Sequence, residues 1–140
     1  MPNLFTEDTY EQAIIELFEN MGYDHLYAPD FDRDYTSPIL DSILRDSLVR
    51  INRGLPVEAI DEAMSKLKNF DTGSLLQKNM IFMDYLQNGV TVKFFVKGEE
   101  QSSIVRLIDY QNVKSNSFYV VNQFTFLENG NNRRPDIILF

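Results

Sequence analysis

A chain of 140 residues that is 44% hydrophobic, 13% aromatic and 24% charged has enough apolar mass for one domain with its own core and is too apolar to be disordered. With no cysteine, disulfides and thiolate metal sites are excluded. A net charge of −8 argues against tight nucleic-acid binding by this chain alone, although the excess is local: residues 1–34 hold nine acids and one base, whereas residues 35–140 hold twelve of each. The opening MPNLFTEDTYEQ lacks the basic start and apolar run of a signal peptide, and no apolar stretch is long enough to span a bilayer. The expectation is a soluble, cytoplasmic protein.

Taken in chain order, the first element is a helix. Tyr10, Ala13, Ile14, Leu17, Phe18 and Met21 recur at helical spacing as an apolar stripe. Thr6 caps its start, Glu7 and Asp8 suit its first turn, Gly22 stops it, and Tyr23 folds back on the last turn. Residues 24–36 are polar, aromatic and interrupted by Pro29, which predicts a loop. Ser37-Pro38 opens a second helix with Ile39, Leu40, Ile43, Leu44, Leu48 and Ile51 inward, ending at Gly54. Pro56 starts a third, with Val57, Ile60, Met64 and Leu67 inward. A fourth runs from Ser74 to Leu86 and stops at Gly89, with Met80 and Met83 as core filler.

Beyond Gly89 the composition turns to branched and aromatic residues. Residues 90–96 read as a strand, Gly98 as a turn, and residues 104–108 as the returning strand of a hairpin. Residues 109–117 form a loop, 118–127 a long strand, Asn129-Gly130-Asn131-Asn132 a turn, and 136–140 a last strand. Helices over 6–88 followed by strands over 90–140 predict a single α+β domain covering 1–140. Its sheet is mixed or antiparallel, and residues 118–127 pair antiparallel with 136–140. The last strand ends on Phe140 without a polar tail, which suggests a longer parent protein.

One short motif carries chemistry. In Arg133-Arg134-Pro135-Asp136, proline fixes the backbone at the mouth of a strand and the aspartate opens it. A carboxylate so placed serves either as ordinary turn chemistry or as a hard oxygen ligand for Mg²⁺. Arg133 and Arg134 are either solvated turn residues or a small phosphate contact. His25, the only histidine, reads as a satisfied surface residue.

The stretch FYVVNQFTFLENGNNRRPDIILF, residues 118–140, resembles the type I restriction enzyme R subunit. TEDTYEQAIIELFENMGY near the start and GLPVEAIDEAM over residues 54–64 are similar to segments of the same family, so the resemblance covers essentially the whole chain. It implies a nuclease of the PD-(D/E)xK kind, with a restriction-endonuclease-like core of a helix on a mixed sheet. Asp136 would be the strand aspartate. Glu11 would be the helix carboxylate and second metal ligand, with Glu16 as runner-up. Mg²⁺ would be the cofactor, and ATP would act only through motor domains absent from this chain. The implied partners are DNA and the modification and specificity subunits, with no membrane.

The sequence departs from the family pattern in one respect: no Glu-x-Lys follows Asp136 within these 140 residues. That lysine would stabilise charge at the phosphorus and orient the attacking water. The isolated chain is therefore predicted to be inactive, although the complete subunit would be a site-specific deoxyribonuclease. The alternative is a non-catalytic interaction module of the same complex, docking through the acidic first quarter and the aromatic segment from Tyr23 to Tyr35.

Overall fold

The computed structural model describes residues 6–70 and 73–140. Four α-helices and seven short strands lie among them, an α+β arrangement that matches the predicted class. The chain divides into two compact units. One comprises the chain up to Leu40 together with Ser117–Phe140, and the other is Asp41–Asn116.

In the first unit, α1 spans Glu7–Asn20. The Thr6 hydroxyl accepts the Thr9 N–H at 3.2 Å, and Glu7 and Asp8 occupy the first turn. Gly22, at φ +99°, turns the chain back so that its N–H reaches Glu19 O and the Tyr23 N–H reaches Phe18 O. The Phe18 and Tyr23 rings then meet edge to face at 5.2 Å, so the predicted stop and fold-back both occur. The predicted stripe is out of phase, however. Tyr10, Leu17 and Met21 are exposed, and the buried residue is Ile15. Glu11, Ile15 and Phe18 share one face, because residues 4 and 3 apart align on a helix. That face turns toward the sheet because Glu11 finds its hydrogen-bond donors there.

The sheet has three strands in the order β1-β4-β7: β1 is Asp24–Tyr27, β4 is Tyr119–Asn122 and β7 is Ile137–Leu139. β1 runs parallel to β4, from Asp24 opposite Tyr119 to Tyr27 opposite Asn122. β7 runs antiparallel, with Val120 opposite Leu139 and Asn122 opposite Ile137. The predicted antiparallel pair is thus present but shorter, and residues 24–27, expected to be loop, form a strand. Its four residues carry no apolar alternation of their own and are ordered by pairing with β4. The expected long strand breaks at Gln123, whose φ of +57° no regular strand contains. A separate hairpin follows, β5 (Phe126–Glu128) with β6 (Asn131–Arg133), closed by Asn129 and Gly130, both at positive φ.

In the second unit, α2 (Asp41–Ile51) and α3 (Val57–Lys68) lie with the hairpin of β2 (Val90–Val96) and β3 (Glu99–Val105). The helix begins at Asp41 rather than at Ser37-Pro38, because the Ser37 hydroxyl accepts the Ile39 N–H in a local turn. Leu48, Ile60 and Leu67 pack with Val90, Val92 and Phe94, the inward residues of an alternating strand. The returning strand starts at Glu99, five residues before its predicted start, because Lys97 and Gly98 at positive φ make a tight two-residue turn. The fourth helix, α4 (Leu75–Asn88), begins with a capping box between Ser74 and Gln77. Its Met80 and Met83 are exposed rather than core filler, since the apolar residues are spread around the helix and it buries none fully. Among the described residues no helix is long and apolar enough to cross a membrane.

Candidate functional site

Asn122 ends β4, the central strand of the first unit's sheet, and is 3% exposed. A buried amide must find partners for both its ends. Its Nδ2 donates to Glu11 Oε1 at 2.8 Å, and its Oδ1 lies 2.7 Å from His25 Nε2. An ionised carboxylate can only accept, so the amide nitrogen must face Glu11 and the amide oxygen must face His25. His25 Nε2 is therefore the donor. This histidine is exposed and satisfied, as expected, but its partner is a residue that holds Glu11.

Successive residues of a regular strand point to opposite faces. The left-handed backbone of Gln123 breaks that alternation, so its amide joins Asn122 on the same carboxylate. Gln123 Nε2 donates to Glu11 Oε1 at 3.1 Å and to Oε2 at 3.0 Å. The Gln123 backbone N–H donates to the carbonyl of Asp136 at 3.0 Å. One residue thus touches both positions singled out in the sequence, through its side chain at Glu11 and its main chain at Asp136. The Asp136 carboxylate is exposed and makes no hydrogen bond with any described residue.

Glu16 lies about 140° around α1 from Glu11, five residues on, and its exposed side chain makes no hydrogen bond with any described residue. Arg133 sits on β6, 3.7 Å from Glu128 across the hairpin, with both side chains more than half exposed. Arg134 follows it, exposed and without an ion pair among the described residues. No group of three or more His, Cys, Asp or Glu side chains among the described residues is arranged to hold a metal. Hard carboxylate oxygens at Glu11 and Asp136 suit Mg²⁺ in type, and that ion ordinarily keeps several waters on one or two carboxylates.

Phe124, the residue after Gln123, is fully buried and carries an unexpected neighbour. The Arg33 guanidinium lies 3.7 Å from its ring centre and 4.7 Å from that of Tyr35. All three guanidinium nitrogens are shielded from solvent and have no hydrogen-bond partner among the described residues. Burial pushes this group below its ordinary value, while Tyr35 and Asp34 pull it back up.

Asn122, Gln123 and Arg33 were not singled out in the sequence as site residues. The available signal was an Asn-Gln pair inside an otherwise apolar strand, since polar side chains in a buried strand need designated partners.

The family described as "Type I restriction enzyme R protein N terminus" matches residues 4–140. The chain belongs to that family. It is 30% identical over 146 residues to the "Type I restriction enzyme HindI endonuclease subunit" of Haemophilus influenzae, covering 98% of this chain and 14% of that protein. It is 32% identical over 139 residues to the "Putative type I restriction enzyme MjaIXP endonuclease subunit" of Methanocaldococcus jannaschii, covering 93% of this chain and 13% of that protein. This R-subunit N-terminal domain therefore spans about one-seventh of the length of the curated relatives it matches.

Proposed function

We propose that this R-subunit N-terminal domain contributes the first part of a metal-dependent DNA nuclease site on a PD-(D/E)xK-like core. The carrying observation is the grip on Glu11: three amide N–H contacts from Asn122 and Gln123 hold its carboxylate at the end of β4, the strand that pairs with β7. Amide donors are neutral, so they orient the carboxylate without cancelling its charge. The relatives' names, as restriction endonuclease subunits, support the same reading.

Glu11 and Asp136 would hold Mg²⁺, which when bound polarises a phosphoryl oxygen and makes its water more acidic. Asn122 and Gln123 orient Glu11, and His25 fixes the rotamer of Asn122. Arg133 and Arg134 would meet the DNA backbone. ATP would enter only through motor domains of the parent subunit, which would work with modification and specificity subunits. The 140 residues hold no Glu-x-Lys after Asp136, so the isolated chain is expected to leave DNA uncut.

In the complete R subunit assembled with its partners, Asp136→Ala and Glu11→Gln are each expected to lower Mg²⁺-dependent plasmid cleavage by at least about 100-fold. Cleavage unchanged by both substitutions would sink the proposal. A second reading, subunit docking through α1, rests on the exposure of Tyr10, Leu17 and Met21 along that helix. It would gain if Tyr10→Ser with Leu17→Ser blocked assembly while Asp136→Ala had no effect on cleavage.

A further inference from the structure

The second unit carries equal numbers of acids and bases, yet it gathers three arginines around one pocket of about 470 Å³. Arg50 comes from the last turn of α2, Arg53 from the turn that follows, and Arg106 from the residue after β3. The positions are fixed by buried chemistry. Asn52, 8% exposed, accepts the Arg106 N–H at 2.7 Å and donates to the Arg106 carbonyl at 2.8 Å and to Leu48 O at 2.9 Å. This clamp ties the end of α2 to the exit of β3. Arg50 Nε donates to Ser115 O at 2.8 Å, drawing in the loop that forms the far wall. That loop is closed on itself by Asn116, which accepts the Asp109 N–H and donates to the Asp109 carbonyl, both at 2.9 Å.

Asp109 is the one acid on the lining, and its carboxylate is already engaged by the backbone N–H groups of Gln111 and Asn112. The side chains of Arg53 and Arg106 are exposed and make no ion pair or hydrogen bond with any described residue. Elsewhere on this unit, Arg45 pairs with Asp61 and Lys68 with Asp41. Two free guanidinium groups on a rigid frame, beside a third, make a receptor for a polyanion with tetrahedral oxygens.

We infer that the Arg50–Arg53–Arg106 pocket binds phosphate groups of the DNA backbone, as a sequence-independent contact separate from the Glu11 and Asp136 positions. The anion site stands on the geometry alone. The choice of DNA as the source of the phosphate rests on the nuclease reading above.

The test is equilibrium binding of the 140-residue chain to a labelled DNA duplex, followed by fluorescence anisotropy in EDTA so that no cleavage chemistry is involved. Weak binding, with Kd of about 10⁻⁴ to 10⁻⁶ M, is expected, together with a linear fall of log K with log salt. The double variant Arg53→Gln/Arg106→Gln is expected to bind more weakly, with the salt slope reduced by about 1.8, roughly 0.9 per lost phosphate contact. Arg53→Lys/Arg106→Lys should restore most of the slope, and unchanged circular dichroism of both variants shows that the fold is kept.

An unchanged slope in the glutamine variant overturns the inference. So does tripolyphosphate that binds the pocket and is lost in the glutamine variant while duplex binding is unaffected, because the ligand is then a free anion. Failure of the nuclease reading is seen separately, as cleavage by the complete enzyme that survives Asp136→Ala while the salt slope still depends on Arg53 and Arg106.

Discussion

Glu11 is satisfied by side-chain amides and by no cation among the described residues. A carboxylate paired with lysine or arginine has its charge neutralised, whereas one held by amides keeps its charge for an incoming ion. Replacing Asn122 with leucine removes a donor from Glu11 and the acceptor of His25 at nearly constant volume. The expected result is a drop of about 10- to 100-fold in Mg²⁺ affinity or cleavage by the complete subunit, the usual effect of losing a group that orients a metal ligand. Titration of Mg²⁺ against the cleavage rate checks it. At Gln123 the backbone and the side chain can be tested apart. Gln123→Gly keeps the left-handed turn and the N–H to Asp136 but loses the amide. Gln123→Val also strains the turn, at about 1–2 kcal/mol. Thermal unfolding should separate them, with valine the less stable. Arg33 presents the opposite case, a partly buried cation whose guanidinium nitrogens are shielded and have no hydrogen-bond partner among the described residues. Their desolvation costs about 1–3 kcal/mol or more, against about 1–2 kcal/mol from the rings of Phe124 and Tyr35. Arg33→Met is expected to leave stability unchanged or raise it, as read by the denaturation midpoint.

Most element ends with a local signal were legible, although Ser37-Pro38 makes a turn rather than opening α2. Thr6, Gly22, Ser74 and Gly89 mark helix ends by chemistry confined to one turn, and Asn129-Gly130 marks a hairpin turn by its need for positive φ. Elements defined by distant partners were not legible. Residues 24–27 become β1 only because β4, beyond the intervening unit, supplies the pairing. The face of α1 is not set by its apolar stripe alone, because the hydrogen bonds of Glu11 to β4 decide the rotation. The same contrast applies to the site: Asp136 and Glu11 stood out by motif and resemblance, whereas the amides that grip Glu11 needed coordinates. Two substitutions test the joints between elements. A Cβ at Gly89 would lie 2.7 Å from Ile104 Cγ2 and 2.9 Å from Val105 O, at φ +83° and ψ 176°, a region almost restricted to glycine. Gly89→Ala should cost at least about 2 kcal/mol. Asn52→Ala should cost about 2–3 kcal/mol by leaving the Arg106 backbone unpaired, measured by urea unfolding.

At the scale of the whole molecule, one compact unit is continuous in sequence and the other is built from two separated pieces. During synthesis the first piece, carrying α1 and β1, emerges long before the strand that completes its sheet. It must wait through all of Asp41–Asn116, a closure that is entropically costly while that stretch is unfolded and cheaper once it has condensed. The continuous unit thus governs when Glu11 and β4 can meet. A lesion such as Asn52→Ala, remote in sequence from α1 and β4, should slow the refolding of the first unit as well as weaken its own.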